Sequence, residues 1–147
     1  MARNYVQGTY EVKNMSKYVG TKNPRYLSSY ELKFFQFCDR HPLVLEWGSE
    51  TVVIKYYNPV KQRMARYLLD VYIKYRDADG NIHKEYIEIK PESQTRKPRR
   101  GRKSQKTYNY EMLTWMVNEA KWQEATKQAE ARGMKFRLVT ENSIFKG

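Results

Sequence analysis

Apolar positions cluster in two runs near the middle of the chain, "YLLDVYIKYR" and "IHKEYIEIK", and the "DADG" between them is turn chemistry. The pattern predicts one strand from about Ala65 to Arg76, a tight turn, and a returning strand from Ile82 to Lys90. Upstream, "LVLEW" and "TVVIKYY" flank "GSE" and read as the strands of another hairpin. Before them, "SSYELKFFQFCDRHP" predicts a helix in which Ser28 caps, Glu31 completes a capping box, and Leu32, Phe34, Phe35 and Cys38 supply the apolar face before Pro42 ends it. Downstream, Leu113, Met116, Val117 and Ala120 recur at helical spacing from Thr107 onward, with Gly133 placed as a C-terminal cap and "MKFRLVTE" as a last strand. Residues 1–26 show little periodicity and read as an irregular arm, and residues 91–107 read as a mobile loop.

The order helix, several strands, helix, strand implies an α/β (α+β) fold, a mixed sheet flanked by helices, with a meander continued through one crossover helix. At 147 residues the chain is one domain. A single cysteine rules out an internal disulfide framework, and with His41 and His83 it offers no soft-ligand set for zinc. No run of about 18 apolar residues is present and the first residues lack a signal-peptide core, so neither a membrane span nor secretion is expected. Lys and Arg number 28 against 16 Asp and Glu, and the net charge of +12 favours a polyanionic partner such as nucleic acid.

The hairpin carries the candidate chemistry. If its loop is Ala78, Asp79 and Gly80, with Gly80 left-handed, then Val71 faces Ile87, Leu69 faces Ile89, Leu68 faces Lys90, and Asp70 stands opposite Glu88. A two-residue loop would instead set Asp70 against Ile89 and mix polar with apolar on both faces, so the three-residue loop is the consistent register. Directly opposed carboxylates about 5 Å apart repel or share a proton unless a cation lies between them. Mg²⁺, with Mn²⁺ as a substitute, suits two carboxylates and a backbone carbonyl such as that of Ile89, and it leaves room for a phosphate. Lys90, on the same face, is then placed to orient a water or offset charge on a phosphodiester.

Asp70 followed across the hairpin by Glu88-Ile89-Lys90 resembles the PD-(D/E)xK nuclease pattern with its restriction-endonuclease-like core; Leu69 stands where the motif's proline would be. The layout also resembles the TnsA-like endonucleases, and the chain from "MARNYVQGTY" to "RLVTENSIFKG" resembles the head-completion nucleases of T-even-like tailed phages. That resemblance implies a metal-dependent DNA endonuclease acting as a filled head is finished, in the host cytoplasm during assembly and in the virion, with portal or neck proteins as partners. It also matches Glu31 to an acid that such nucleases bring from their first helix. The capping box explains Glu31 equally well, and both readings stay open. Glu46 and Glu50 read as solvated.

Seven basic residues, Arg96, Lys97, Arg99, Arg100, Arg102, Lys103 and Lys106, follow the pair directly. They read as a clamp on DNA backbone. Trp47, Trp115 and Trp122 read as core, and Gln105 and Tyr108 only loosely resemble the Gln and Tyr of exonuclease-type members. The competing function is a non-enzymatic DNA-binding connector of the head and neck, using the same basic surface.

Overall fold

A computed structural model describes residues 7–144. In chain order the elements are β1 (Gly8–Thr9), β2 (Arg25–Tyr26), α1 (Ser29–Arg40), β3 (Val44–Ser49), β4 (Val53–Asn58), β5 (Arg63–Leu68), β6 (Val71–Arg76), β7 (Ile82–Ile89), α2 (Gln105–Ala131), β8 (Lys135–Val139) and α3 (Glu141–Ile144). A central sheet runs β3-β6-β7-β8, antiparallel except for the parallel β7–β8 pair. The parallel pair requires a crossover, which α2 supplies. This is the mixed, helix-flanked sheet that the order of elements implied.

The register of the central hairpin is the expected one. Val71 pairs with Ile87 and Arg76 with Ile82, Gly80 N–H donates to the Asp77 carbonyl at 3.0 Å, and Gly80 is left-handed at φ 86°. Only glycine enters that region without steric cost, so the residue at position 80 sets the loop at three. Val71, Ile73, Ile87 and Ile89 face Phe34, Phe35 and Cys38 of α1 together with Trp47. Tyr86 and the half-buried Phe136 face Ala125 and Ala129 of α2 on the opposite side.

The strands before the hairpin pair differently from the expectation. β3 and β4 are not partners: β3 pairs with β6, and β4 pairs with β5 in a separate two-stranded sheet. Nor is 65–76 one strand, because it breaks at Leu69-Asp70. Both departures have one cause. β3 and β4 are successive parts of one strand, β5 and β6 of its partner, and this long ribbon bends at residues 50–52 opposite 69–70. The "GSE" segment is therefore a corner, and the real turn is "NPVKQ", where Asn58 Oδ1 accepts the Val60 and Lys61 N–H groups at 3.0 Å.

The arm is not a loose segment. Among its described residues, Tyr10, Val12 and Tyr18 are buried in the core, and Tyr18 bridges to Trp47. Asp39, fully buried on α1, accepts from the Tyr10 hydroxyl at 2.6 Å and from Lys13 and Asn14 N–H at 2.8 and 2.9 Å. Burial pushes the Asp39 carboxyl up, but these hydrogen bonds outweigh it and hold the group below the usual carboxylate range. Residues 1–6 lie outside the described residues.

Gly133 ends α2 as expected, with Met134 N–H returning to the Ala129 carbonyl at 2.8 Å. The apolar stripe is misplaced by the sequence pattern, however: Leu113 and Met116 are exposed, and the buried positions are Trp122, Ala125 and Ala129. Length explains the shift. A helix of 27 residues is about 40 Å long, roughly twice the span of the strands it crosses, so its N-terminal half overhangs the sheet.

Candidate active site

The corner of the ribbon makes the site. Where the β6–β7 ladder stops at Val71 and Ile87, the Leu69 N–H turns away to the Val52 carbonyl at 2.9 Å, and the Asp70 carbonyl accepts from Glu50 N–H at 3.2 Å. The expected main-chain pairing of Leu69 with Ile89 and of Leu68 with Lys90 is therefore absent, because that stretch is committed to β4. The vacated rung is filled by a side chain: Asp70 Oδ2 accepts the Ile89 N–H at 2.8 Å. In an extended residue N–H and C=O point to the same neighbour, so the Ile89 carbonyl faces this gap as well. Glu50, on the facing arm of the corner, is left-handed at φ 55°.

The carboxyl groups of Asp70 and Glu88 lie close enough for each to act on the other. Two carboxyl groups so placed repel when both are charged, which disfavours ionising the second. Burial, then the neighbouring Glu88, push the Asp70 carboxyl well above its usual range, against the opposing pull of the Ile89 N–H and the Lys90 charge. Glu88 is buried, and its Oε2 accepts from Trp122 Nε1 at 3.4 Å. Lys90 is anchored by its N–H on the Val139 carbonyl at 3.0 Å, at the edge where β8 ends. Lys121 of α2 reaches the same neighbourhood, its Nζ 5.3 Å from the Tyr67 ring and 5.7 Å from the Tyr56 ring. Burial lowers its pKa while the charges of Glu88 and Asp70 oppose that. Tyr67 donates its hydroxyl to the Lys121 carbonyl at 3.3 Å.

Glu31 neighbours this group and also caps α1. Its Oε2 accepts from Leu27 N–H and from the Ser28 hydroxyl, both at 3.1 Å, while Ser28 Oγ accepts the Glu31 N–H at 3.2 Å. Burial, followed by Asp70, raises its pKa, so the Asp70 charge reaches it, yet the carboxylate is spent on the helix N-terminus. Among the described residues no three acidic, histidine or cysteine side chains meet where they could hold a metal together. Glu46 accepts the Tyr72 hydroxyl at 2.6 Å, and Gln105 bonds Asn109.

All seven basic side chains are exposed. Their segment has more structure than a plain loop: a 3-10 turn spans Glu92–Thr95, α2 begins at Gln105, and Lys106 lies in its first turn. Lys103 bonds Glu111 at 2.6 Å and the Arg99 carbonyl at 3.0 Å, which leaves it less available than the others for a phosphate. Trp122, Lys121 and Tyr67 escaped the sequence reading as members of the site. The spacing of Trp122, Ala125 and Ala129 was the available signal for the inward face of α2.

Residues 41–141 match the family described as TnsA-like endonuclease N terminal. The chain belongs to the TnsA-like endonuclease family. It is also 38% identical over 149 residues to the head completion nuclease of Enterobacteria phage T4, covering 95% of this chain and 97% of that relative. No solved structure matches the chain. As a TnsA-like endonuclease it is a nuclease of DNA, and its mixed sheet with flanking helices agrees with that membership. Asp70, Glu88, Lys90 and Lys121 fall inside the matched segment, whereas Glu31 precedes it.

Proposed function

We propose that this TnsA-like endonuclease hydrolyses DNA phosphodiester bonds with Mg²⁺, which Mn²⁺ can replace, and that it acts on DNA as a phage head is completed after packaging. The observation that carries the reading is the placement of two neighbouring carboxylates beside Lys90, Asp70 held on the Ile89 N–H and Glu88 on Trp122 Nε1. Two neighbouring carboxylates, one buried and one half-buried, suit a divalent cation, which would offset their mutual repulsion. Asp70, Glu88 and the Ile89 carbonyl would hold it. When bound, the ion supplies Lewis acidity toward the phosphate and lowers the pKa of a water. Trp122 fixes the Glu88 carboxylate, the Ile89 N–H fixes that of Asp70, and Lys90 offsets negative charge on the phosphate under attack. Glu31 caps α1 and, within reach of the Asp70 charge, would serve as a further ligand or base. The basic segment holds backbone phosphates, which position DNA without reading its bases.

The setting rests on the name of the T4 relative, a head completion nuclease, and on near full-length similarity to it. In that setting the protein would act in the host cytoplasm during assembly and in the virion, beside portal or neck proteins. Supercoiled plasmid incubated with the protein and Mg²⁺ or Mn²⁺ should be cut, should survive in EDTA, and should survive with Asp70→Ala, Glu88→Ala or Lys90→Ala. Plasmid intact under every metal and salt condition would favour a non-enzymatic connector, and cutting by Asp70→Ala would reject the assigned site.

A further inference from the structure

Lys121 is a half-buried cation beside two carboxyl groups, yet among the described residues it enters no salt bridge. Its ammonium lies against the rings of Tyr56 and Tyr67, themselves edge to face at 5.7 Å and 78°. Two hydrogen bonds fix the helix turn that presents it: the Tyr67 hydroxyl on the Lys121 carbonyl, and Trp122 Nε1 on Glu88. A lysine whose purpose was to neutralise Glu88 would be expected in contact with it, where the Coulomb gain is largest. Here the ammonium rests on the aromatic rings and in no salt bridge, while the charges of Lys90, Glu88 and Asp70 all act on it, so two cations share the neighbourhood of the acidic pair.

We propose that Lys121 forms a binding site for the phosphate of the DNA backbone next to the bond being cut, taking the non-bridging oxygens of that neighbouring phosphodiester while Lys90 serves the phosphate under attack. This rests on the reading of Asp70 and Glu88 as the hydrolytic centre. The Tyr56–Tyr67 slot, packed under α2, positions the ammonium in advance, so little side-chain freedom is lost when the strand arrives. The site takes a phosphodiester of either strand and is indifferent to base identity.

The test is binding without cleavage. Anisotropy of a fluorescein-labelled duplex is measured in EDTA over a salt series for the full chain and for Lys121→Met, Lys121→Gln and Lys121→Arg. Lys121→Met and Lys121→Gln should bind several-fold more weakly, with the logarithmic salt slope reduced by about 1, and Lys121→Arg should restore the slope. A duplex with one neutral methylphosphonate, stepped along the backbone, should weaken the unsubstituted protein at one position and leave Lys121→Met unaffected there. Unchanged slope and affinity in both neutral variants, with a lowered melting temperature, would overturn the proposal and make Lys121 a structural cation. Because no hydrolysis is needed, plasmid that resists cutting would defeat the hydrolase reading separately, while an unchanged salt slope defeats only the subsite.

Discussion

Replacing Asp70 with Asn should stabilise the metal-free protein at alkaline pH while abolishing cleavage. The sign follows from the direction of its shift. The folded state keeps the Asp70 proton above the pH at which the unfolded chain releases it, near 3.9, so stability falls as pH rises from there to the raised folded value and is flat beyond it. The slope in that window is at most about 1.4 kcal/mol per pH unit for one proton, equivalent to about 3–6 °C in melting temperature for a chain of this size. Above the window, two charges about 5 Å apart at an effective dielectric of about 20 repel by roughly 3 kcal/mol. The Ile89 N–H, Lys90 and Lys121 discount this, and Glu31 and Tyr67 face the same group, so a net gain of about 1–3 kcal/mol is expected from Asp70→Asn. The amide still accepts from Ile89 and can donate to Glu88, so the corner keeps its shape. Thermal melts from pH 4 to 9 in EDTA, repeated with Mg²⁺, measure all of this: Mg²⁺ should raise the melting temperature of the parent at pH 8 and leave that of Asp70→Asn unmoved. A variant with the parent's pH slope, or one less stable at pH 8, would refute the raised Asp70 carboxyl.

Gly80→Ala forces a side chain into φ 86° and should cost about 1–2 kcal/mol by urea denaturation; an unchanged midpoint would contradict the left-handed loop that sets the register. Asp39→Ala leaves the Tyr10 hydroxyl and the Lys13 and Asn14 N–H groups without their acceptor, so about 3 kcal/mol should be lost and trypsin should cut sooner near Lys13 and Lys17. Neutralising Arg96, Lys97, Arg99, Arg100, Arg102, Lys103 and Lys106 together should flatten a DNA-binding salt slope of roughly −4 to −5, and a slope left unchanged would remove the clamp. Restoring Lys103 alone should recover less of that slope than restoring Arg99 alone, since Lys103 already bonds Glu111.

The features written in local chemistry were legible. The three-residue turn follows from Gly80 and from the matching of apolar with apolar across the hairpin, and the opposition of Asp70 to Glu88 follows from that turn. The capping box at Ser28 and the stop at Gly133 are local in the same way. What escaped depends on residues far apart. The bend at Glu50 and Asp70 comes from the choice of β3 to pair with β6 rather than with β4, and short apolar runs do not encode that choice. The overhang of α2 reflects the width of the sheet beneath it, which no window of helical periodicity contains. Lys121 and Tyr67 meet only because α2 crosses the bent ribbon, so their part in the site could not be read from spacing.

The bent ribbon also divides the chain into lengths that are free to change and lengths that are not. Residues added at the tip, between Asn58 and Arg63, lie beyond the last rung of β4 and β5 and would lengthen a solvent loop at little entropic cost. One residue added or removed between Ser49 and Val53, or between Leu68 and Val71, would turn a strand face over and carry Asp70 away from the Ile89 N–H. A substitution at the corner tests chemistry, whereas a one-residue insertion there tests arithmetic: the site exists only for one count of residues on each arm of the ribbon.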